Sequence, residues 1–332
     1  MKAIVYHEYG SPDVLQLKEV EKPTPKEGEA LVKIHATSVN KGDWYALTGK
    51  PFLVHLTDGL FKPKDKILGM EAAGQIEAIG RDVKQFQPGD EVYGDISWCG
   101  KGGFAEYVSV PENLLALKPA NLSFEESATV PVAAIAALQG IRDIGEIQPG
   151  QKVLINGGSG GVGTFAVQIA KSYGTEVTAV CGTRSLEMAR SYAEHVIDYT
   201  QEDFTQKGQL YDLIIGVNGH NSLSDIKRAL SPEGTYVCIG GPISHIFQSN
   251  ALGPLMSKKG GKQIKGLVSV KQGQKDLVVM KELIEAGKIA PVIDRRYTLS
   301  ETAEAFRYFG GGHAKGKVVI IVVEDSEQQP AV

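Results

Sequence analysis

A glycine-rich turn between two apolar segments is the part of the sequence best suited to bind a phosphate-bearing ligand. Residues 155–163 read INGGSGGVG, directly after the apolar run 153–155 and before the helix-like run 164–170. In a G-x-G-x-x-G turn the first glycine permits a tight bend, the second lets the backbone approach a diphosphate, and the third lets the helix pack on the strand. The diphosphate would lie at the helix N-terminus, where free N–H groups and the helix dipole favour an anion. The predicted cofactor-binding residues of this turn are Gly158, Ser159, Gly160, Gly161, Val162 and Gly163.

The next predicted strand, residues 176–181, indicates which dinucleotide would bind. In NAD-binding sites an Asp or Glu near this strand end binds the ribose 2′-hydroxyl. Here the chain reads Gly182, Thr183 and Arg184. A guanidinium can bind the extra phosphate of NADP in bidentate fashion. The sequence therefore predicts NADPH, although a solvent-exposed charge at the start of a helix would also explain Arg184.

Length, charge and cysteine usage describe a two-domain protein without a membrane or nucleic-acid signature. The chain has 332 residues, a formal charge of −4 with both signs dispersed, and three widely separated cysteines. No basic patch or polybasic membrane segment is evident, and no apolar run approaches the ~20 residues that cross a bilayer. The N-terminus has no signal-peptide pattern, and scattered cysteines suit a reducing compartment. We therefore expect a cytoplasmic protein with no nucleic-acid partner and no membrane span.

The elements that position the glycine turn fall into two patterns. Up to about residue 120, short β-rich runs at 30–34, 74–79, 91–94 and 105–110 alternate with turn signals, which is typical of a mainly β, barrel-like region. From about residue 125, strands at 153–155, 177–180, 196–198, 212–217 and 235–239 alternate with helices, which predicts a doubly wound parallel sheet. Helices at 277–286 and 300–309 and a strand at 318–323 then resume the first pattern. The predicted fold class is α/β, with a Rossmann-type domain at 125–272 and a mainly β domain at 1–124 and 273–332.

Several motifs resemble the medium-chain dehydrogenase/reductase superfamily. They are GMEAAG at 69–74, VKQFQPGDEV at 83–92, NKGDW at 40–44, GFAEY at 103–107 and HAKGK at 313–317. The chain is most similar to the zinc-free, NADPH-dependent quinone oxidoreductase and alkenal/enone reductase branch, from Met1 to about Val323. This resemblance implies that the mainly β domain is GroES-like and carries the catalytic residues. It also implies a homodimer formed by pairing of edge strands, for which residues 266–270 are the candidate segment.

The same resemblance bears on metal binding. Zinc-dependent relatives hold catalytic zinc through Cys, His-Glu and Cys, and the corresponding positions here are Asn40, Met70 and the vicinity of Val132. Glu71 matches the superfamily's acid beside the zinc site and is expected to be structural. Because neither an amide nor a thioether replaces a thiolate or imidazole, we predict that no metal is bound. Without a Lewis acid, reduction of an already polarised acceptor is more plausible than oxidation of an unactivated alcohol.

The expected reaction is hydride transfer from NADPH to a small-molecule quinone or to the β-carbon of an α,β-unsaturated carbonyl. The developing enolate oxygen needs a donor and its carbon needs a proton. Asn40 is the candidate donor, although a turn role fits it equally well, and Tyr45 is the candidate proton donor or pocket-shaping residue. Asp43 and Trp44 are expected to line the substrate pocket, with the alternative that Asp43 fixes the loop through local backbone hydrogen bonds.

Further cofactor contacts are implied by the resemblance: Tyr199 near the 2′-phosphate or adenine, and the backbone groups of Val217, Ile239 and Gly240 on the nicotinamide side. Lys317 is a candidate for a phosphate contact, and for Tyr199 and Lys317 a surface side chain is the alternative. Two other functions stay open at this point: an alcohol dehydrogenase-like enzyme acting on small carbonyls without a metal, and a non-catalytic NADPH-binding protein.

Overall fold

A computed structural model describes residues 1–100, 102–218, 221–257, 260–267 and 269–323. Its strands are β1 Lys2–Val5, β2 Gln16–Glu19, β3 Glu29–Val39, β4 Glu71–Ile79, β5 Glu91–Asp95, β6 Tyr107–Pro111, β7 Leu115–Leu117, β8 Lys152–Asn156, β9 Glu176–Cys181, β10 His195–Asp198, β11 Tyr211–Gly216, β12 Leu230–Cys238, β13 Gln263–Gly266, β14 Ile293–Thr298 and β15 Lys317–Ile321. Its α-helices are α1 Lys41–Thr48, α2 Val54–Asp58, α3 Phe124–Ser127, α4 Pro131–Gln139, α5 Gly161–Ser172, α6 Leu186–Arg190, α7 Leu223–Ala229, α8 Ile243–Ala251, α9 Gly253–Met256, α10 Gln274–Glu285 and α11 Thr302–Gly310.

The chain forms two compact units. The first unit comprises Met1–Val132, Gln272–Glu285 and the chain from Ile293 onward, and the second unit comprises Ala133–Lys271 and Ala286–Val292. The first unit therefore continues past the predicted boundary at residue 124. Helix α3 belongs to it because the Phe124 ring stacks on His35 of β3, with ring centroids 4.2 Å apart, and Glu125 forms an ion pair with Arg296 of β14.

A short segment after α10 belongs to the second unit, although the sequence assigned it to the first. The side-chain amide of Gln168 in α5 donates to the Ala290 carbonyl at 2.9 Å and accepts from the Ala290 N–H at 2.8 Å. An amide can do both at once because it carries a donor and an acceptor. Ile289, the residue before Ala290, is buried. These two hydrogen bonds hold residues 286–292 against α5, and the segment therefore belongs to the second unit.

The second unit contains a six-stranded parallel sheet in the order β10-β9-β8-β11-β12-β13. Counted along the chain within this unit, the order is 3-2-1-4-5-6, which is that of a Rossmann-type sheet. The central strands β8 and β11 are almost entirely buried, as expected when helices cover both faces. Val153, Leu154 and Ile155 of the central strand are completely buried. The predicted doubly wound sheet and its five predicted strands are confirmed.

The sixth strand differs from the prediction. It runs from Gln263 to Gly266, whereas residues 266–270 were the candidate edge strand. Leu267, Ser269 and Val270 are not in a strand, and Val268 lies outside the described residues. The composition of β13 explains the error. Gln263 and Lys265 are not typical strand residues, whereas the apolar residues that follow Gly266 have high β propensity.

The first unit is built on a mainly antiparallel sheet in the order β14-β15-β3-β4-β5-β7, with β6 also paired to β3. Strand β3 is eleven residues long and pairs with three partners: β6 along its first half, β4, and β15 along its last four residues. Strand β15 returns from the end of the chain, as predicted. In the described part of the chain, no helix is long and apolar enough to cross a membrane.

Candidate functional site

The glycine turn lies between β8 and α5 in the second unit, as predicted, and two of its glycines are required by packing. A Cβ atom on Gly158 would lie 2.9 Å from the Ala179 side chain of the neighbouring strand β9. A Cβ on Gly163 would lie 2.0 Å from the carbonyl oxygen of Gly157, which is backbone and cannot move aside cheaply. Gly157 itself has φ +99°, a region that glycine occupies without strain. These contacts bring the helix start close to the strand end.

Gly160, the middle glycine of the motif, has a different environment. A Cβ there would have Gly157 O at 4.0 Å as its only neighbour within that distance among the described residues. The residue has φ −83°, so its backbone does not require glycine either. Gly160 is the N-cap of α5 and supplies no side-chain acceptor, so the first-turn N–H groups of the helix can bind an external anion. Open space before a helix N-terminus fits the diphosphate of a dinucleotide.

The end of the neighbouring strand β9 carries the residues predicted to select the cofactor. Thr183 and Arg184 lie in a short 3₁₀ turn after β9, and both are exposed. The exposed Tyr199 ring, after β10, packs beside Gly182, where a Cβ would lie 3.2 Å from the phenol oxygen. The structure thus brings Gly182, Thr183, Arg184 and Tyr199 to one edge of the sheet, because β9 and β10 are parallel neighbours.

An acidic residue that the sequence analysis missed lies at the same edge. The Asp198 carboxylate accepts from the Thr183 hydroxyl at 2.7 Å and from the N–H and hydroxyl of Thr200 at 3.0 and 2.8 Å. The hydrogen bond from Thr183 is the main reason that the pKa of Asp198 lies below its usual value. Both carboxylate oxygens are therefore occupied by the protein's own threonines. The sequence analysis missed the contact between Thr183 and Asp198 because the sequence does not show that β9 and β10 are neighbours in the sheet.

The remaining predicted cofactor contacts of the second unit lie at the ends of the next strands. The backbone N–H of Val217 donates to the Asn156 carbonyl at 2.9 Å, and that of Ile239 donates to the Gly216 carbonyl at 2.9 Å. A Cβ on Gly240 would lie 2.5 Å from the Val217 carbonyl oxygen. These residues follow β11 and β12, so they share the carboxyl edge of the sheet with the glycine turn. In open α/β sheets this edge binds the ligand.

In the first unit, strand register assembles a second group of polar side chains. Strand β15 pairs with β3 so that Val318 lies opposite Val39. Lys317 precedes Val318 and Asn40 follows Val39, so in this antiparallel pair the two residues also lie next to each other. Strand β4 pairs with β3 at Ala73 and Ala36, which brings its first residue, Glu71, to the same end. Three strands that are distant in sequence therefore place their polar ends together.

These side chains form a buried hydrogen-bonded network, which we call the Glu71 cluster: Ser38, Asn40, Glu71 and Lys317. The Lys317 ammonium donates to Glu71 Oε1 at 2.8 Å and to Asn40 Oδ1 at 2.6 Å. The Asn40 amide donates to Glu71 Oε1 at 2.7 Å and to the Ser38 carbonyl at 3.3 Å, and the Ser38 hydroxyl donates to Glu71. All four residues are buried, and a buried charge is tolerated only when it is paired and hydrogen-bonded.

Glu71 is fixed on both sides. Its second oxygen, Oε2, accepts from the Val132 N–H at 2.9 Å. The preceding turn requires Gly69, which has φ +106° and approaches the Gly103 backbone so closely that a Cβ would lie 2.6 Å from it. The Asp43 carboxylate holds this turn, since it accepts from the Gly69 N–H at 3.0 Å and from the Asn40 N–H at 2.9 Å. The fully buried Asp43 thus performs the loop-fixing role that was its alternative; contact with a substrate stays a prediction.

Trp44 and Tyr45 lie on α1, the helix that Asn40 precedes. The Trp44 ring packs against α11, since a Cβ on Gly310 would lie 2.2 Å from it, and it borders the core formed around Phe306. Tyr45 is partly exposed, and burial raises the pKa of its phenol, so the group keeps its proton at neutral pH. The Lys41 ammonium lies 5.4 Å from the centre of the Tyr45 ring. Trp44 therefore has the contacts of a packing residue, and a proton-donor role for Tyr45 stays a prediction.

The three positions that hold zinc in metal-dependent relatives surround Glu71 in this structure. Asn40 contributes an amide already bonded to Glu71, Val132 contributes only its backbone N–H, and the Met70 thioether lies against Gly42. The Lys317 ammonium is already paired with the Glu71 carboxylate. Among the described residues, no group of three or more His, Cys, Asp or Glu side chains could hold a metal ion. The donor chemistry here does not suit zinc, which binds thiolate, imidazole and carboxylate.

Lys317 is the residue whose position differs most from its sequence-based interpretation. It was expected to contact a cofactor phosphate, but its side chain is 3% exposed and its ammonium is engaged by Glu71 and Asn40. A contact between Lys317 and a cofactor phosphate stays a prediction. In the structure the Lys317 ammonium pairs with Glu71 and bonds to Asn40 Oδ1. The missing signal was the pairing of β15 with β3, which no local motif reveals.

Comparison with known proteins agrees with the fold. Residues 26–120 match the family model of the alcohol dehydrogenase GroES-like domain, and residues 192–320 match that of the zinc-binding dehydrogenase. The chain is 35% identical to the chloroplastic quinone oxidoreductase of Triphysaria versicolor, over 96% of this chain and 98% of that protein. It is 34% identical to the chloroplastic NADPH-dependent alkenal/one oxidoreductase of Arabidopsis thaliana, over 96% and 79%.

A solved structure shows the same architecture. The quinone oxidoreductase from Coxiella burnetii superposes with a TM-score of 0.86 at 29% identity, covering 97% of this chain and 99% of that one. The fold and the glycine turn define a nicotinamide-dependent oxidoreductase, and the chain belongs to the medium-chain dehydrogenase/reductase superfamily. Within the superfamily, its place is in the quinone oxidoreductase and alkenal/enone reductase branch.

Proposed function

We propose that this protein uses NADPH to reduce quinones, or the C=C bond of α,β-unsaturated carbonyls, without a metal ion. The observation that carries the proposal is the glycine turn at residues 157–163, where packing demands Gly158 and Gly163 while Gly160 faces open space. Relatives named as quinone and alkenal/one oxidoreductases support the choice of acceptor. The test is oxidation of NADPH by the purified protein, with a chelator present, using a quinone, a short alkenal and a cyclic enone as acceptors. A small carbonyl reduced faster than all three would favour an alcohol dehydrogenase-like reaction instead.

Preference for NADPH over NADH rests on the end of β9. Thr183 and Arg184 stand where an NAD-binding site has an acid. The nearby carboxylate of Asp198 is buried and already bonded to two threonine hydroxyls, which makes it less accessible to a ribose diol than an exposed acid would be. An exposed guanidinium beside a hydroxyl can bind the dianionic 2′-phosphate. Tyr199, which packs beside Gly182, would lie next to the adenosine half of NADPH.

We expect Arg184→Ala to weaken NADPH binding by roughly 10- to 100-fold, the loss of one charge-assisted phosphate contact, and to leave NADH binding nearly unchanged. Titration of each nucleotide by fluorescence measures both affinities. Arg228→Ala is the matched control, because Arg228 is an arginine of the same unit that pairs with Asp225 on α7. Equal losses for NADPH and NADH would remove the 2′-phosphate assignment.

The residues of the first unit have to handle the charge that reduction creates. When bound, NADPH supplies a hydride, and its addition to an enone or quinone leaves negative charge on the acceptor oxygen. A fixed N–H donor at that oxygen lowers the barrier. Asn40 is the candidate because Lys317 and Glu71 fix its amide, and because its contact with the Ser38 carbonyl is long, at 3.3 Å. That N–H is the one that can exchange its present acceptor for an acceptor oxygen of the substrate at least cost.

We expect Asn40→Ala to lower kcat by roughly 10- to 100-fold, as removal of one oxyanion donor does, with little change in NADPH affinity. Steady-state kinetics with a quinone and an enone measure the first quantity, and nucleotide titration measures the second. Asn121→Ala is the control, since the Asn121 amide of the same unit donates to the Ile284 carbonyl. Unchanged kcat would reduce Asn40 to a helix-capping residue, and Tyr45→Phe would then be the next variant to measure.

Two further expectations belong to the proposal. Assembly into a homodimer through the edge strand of the parallel sheet now concerns β13, Gln263–Gly266, and sedimentation analysis tests it. A cytoplasmic location rests on cysteine usage alone. Tight NADPH binding without turnover on any acceptor would favour the remaining alternative, a non-catalytic NADPH-binding protein.

A further inference from the structure

A segment of the first unit presents large apolar side chains to solvent. It runs from Lys50 to Lys66 and includes helix α2, and we call it the α2 segment. Phe61 is 86% exposed and Phe52 is 67% exposed. With them, Leu53, Leu56 and Leu60 are each exposed by half or more. Single exposed leucines are ordinary on a protein surface, but five large apolar side chains within ten residues form a patch of the kind that marks an interaction site.

The backbone of the α2 segment is held by hydrogen bonds and by the half-buried His55 ring. The His55 ring packs on Tyr9, with ring centroids 4.3 Å apart, and its Nδ1 lies 2.9 Å from the Leu60 carbonyl. The Tyr9 hydroxyl donates to the carbonyl of the buried Gly59 at 2.6 Å. The Lys64 N–H donates to the Asp58 carbonyl at 2.7 Å. Polar contacts therefore fix the backbone while apolar side chains face outward, the reverse of the usual arrangement at a protein surface.

Lysines flank the apolar side chains along the chain. Lys50 precedes them, and Lys62, Lys64 and Lys66 follow directly; all four are exposed. Asp58 and Asp65 are the acids of the segment, and each is partly buried. Four lysines against two acids give the segment a net charge of +2, although the whole chain carries −4. Pro63 and Asp65 separate Lys62, Lys64 and Lys66, so the sequence contains no continuous polybasic run. Only the structure shows that the neighbouring apolar side chains are exposed.

We propose that the α2 segment docks this protein on the surface of an anionic lipid bilayer. Exposed aromatic and leucine side chains enter the boundary between headgroups and acyl chains, as they do in interfacial segments. The lysine stems lie along the apolar layer, and their ammonium groups reach the phosphates. The proposal commits to a lipid surface and is independent of the reduction chemistry.

Charge complementarity favours a bilayer over a second protein. The cores of protein–protein interfaces are depleted in lysine, because each ammonium has to be desolvated or paired. An anionic headgroup layer instead supplies many phosphates that move to meet each lysine. Four lysines around one apolar patch therefore fit lipid better than a rigid protein partner.

Vesicle flotation tests the proposal on the full-length protein. Vesicles of phosphatidylcholine with about one quarter phosphatidylglycerol supply the negative surface, and pure phosphatidylcholine vesicles are the comparison. We expect binding to the anionic vesicles that is at least roughly tenfold tighter than to neutral ones, and that weakens with salt. The variant Leu53→Ser, Leu56→Ser, Phe61→Ser should lose this binding. So should Lys50→Gln, Lys62→Gln, Lys66→Gln, which keeps the apolar side chains.

A matched control carries the same chemistry elsewhere. Leu17, Leu117 and Leu210 are also exposed, and each lies outside the α2 segment; their triple serine variant should bind vesicles as the original protein does. Thermal unfolding of every variant shows that folding is preserved. A Phe61→Trp variant adds a direct reading, since its emission should shift to the blue with anionic vesicles and be quenched by brominated acyl chains.

Three results would overturn the proposal. The first is absence of binding to anionic vesicles at saturating lipid, and the second is equal binding by the α2-segment variant and its leucine control. The third is a pair of observations: the original protein does not bind lipid, and the α2-segment variant sediments as a monomer where the original protein sediments as a dimer. That result would make this face an interface between copies of the chain.

Discussion

Lys317→Met should be among the most destabilising single substitutions in the first unit. It removes the ammonium from Glu71 and Asn40 and leaves a fully buried carboxylate without its cation. Breaking a buried pair by removing one partner typically costs about 3–5 kcal/mol of unfolding free energy, because the remaining charge has lost its water as well as its partner. Denaturant unfolding followed by circular dichroism measures the loss. We also expect kcat to fall, since Asn40 loses the contact that fixes its oxygen.

A double variant separates the charge from the packing. In Glu71→Gln, Lys317→Met no buried charge remains. The glutamine oxygen can accept from the Val132 N–H, and its NH2 group can donate to the Ser38 hydroxyl and to Asn40 Oδ1 once the Asn40 amide has turned over. We therefore expect the double variant to be more stable than Lys317→Met alone, because buried pairs can often be replaced by neutral groups at little cost. Lys171→Met, which breaks the exposed Lys171–Glu194 pair, is the control and should cost about 1 kcal/mol or less. A Lys317→Met loss no larger than that of Lys171→Met would show that the Glu71 cluster does not need its cation.

Gly160→Ala and Gly163→Ala should separate cofactor binding from folding, although both change a glycine of one motif. At Gly163 the new methyl group would lie 2.0 Å from a backbone oxygen, so the turn has to shift. We expect a clear loss of unfolding free energy, of the order of 1–3 kcal/mol as for other overpacked sites, together with loss of NADPH binding. At Gly160 the methyl group contacts no described protein atom closer than 4.0 Å. We expect an unchanged unfolding temperature but roughly tenfold or weaker NADPH binding, because the methyl group occupies the space for the diphosphate.

Thermal unfolding and nucleotide titration on both variants settle the comparison. If Gly160→Ala bound NADPH as tightly as the unchanged protein, the diphosphate would not approach this residue and the assignment of the turn would be wrong. If Gly163→Ala unfolded at the normal temperature, the close approach of α5 to the Gly157 carbonyl would not exist in solution.

The sequence predicted the second unit well because its signals are local. The strand before Gly158, the glycines and the helix after Gly163 are neighbours in the chain, so their spacing alone describes one supersecondary unit. Predicted strands at 177–180 and 212–217 fall inside β9 and across the end of β11 for the same reason, since apolar runs bounded by turns need no distant partner to be recognised. The first unit's Asn40 and Glu71 were singled out through motifs of the same local kind.

What the sequence could not predict depends on pairing between distant residues. Lys317 lies 277 positions after Asn40, and only the register of β15 on β3 shows that the two side chains meet. The bond from Thr183 to Asp198 depends on the order of β9 and β10 in the sheet. The exposed character of Phe61 depends on which way the α2 segment turns its side chains, and an apolar residue in a sequence is first assumed to be buried.

The pairing of β15 with β3 also determines when, during synthesis on the ribosome, the first unit can be completed. Domains usually fold in the order in which they emerge, with the N-terminal one first. Here Glu71 and Asn40 emerge early, but their cation is Lys317, the first residue of β15. All of the second unit, through Val292, is made before it. The nascent N-terminal region therefore carries an unpaired carboxylate and an unpaired edge of β3 until β15 emerges, so the unit that begins first is completed after the second one.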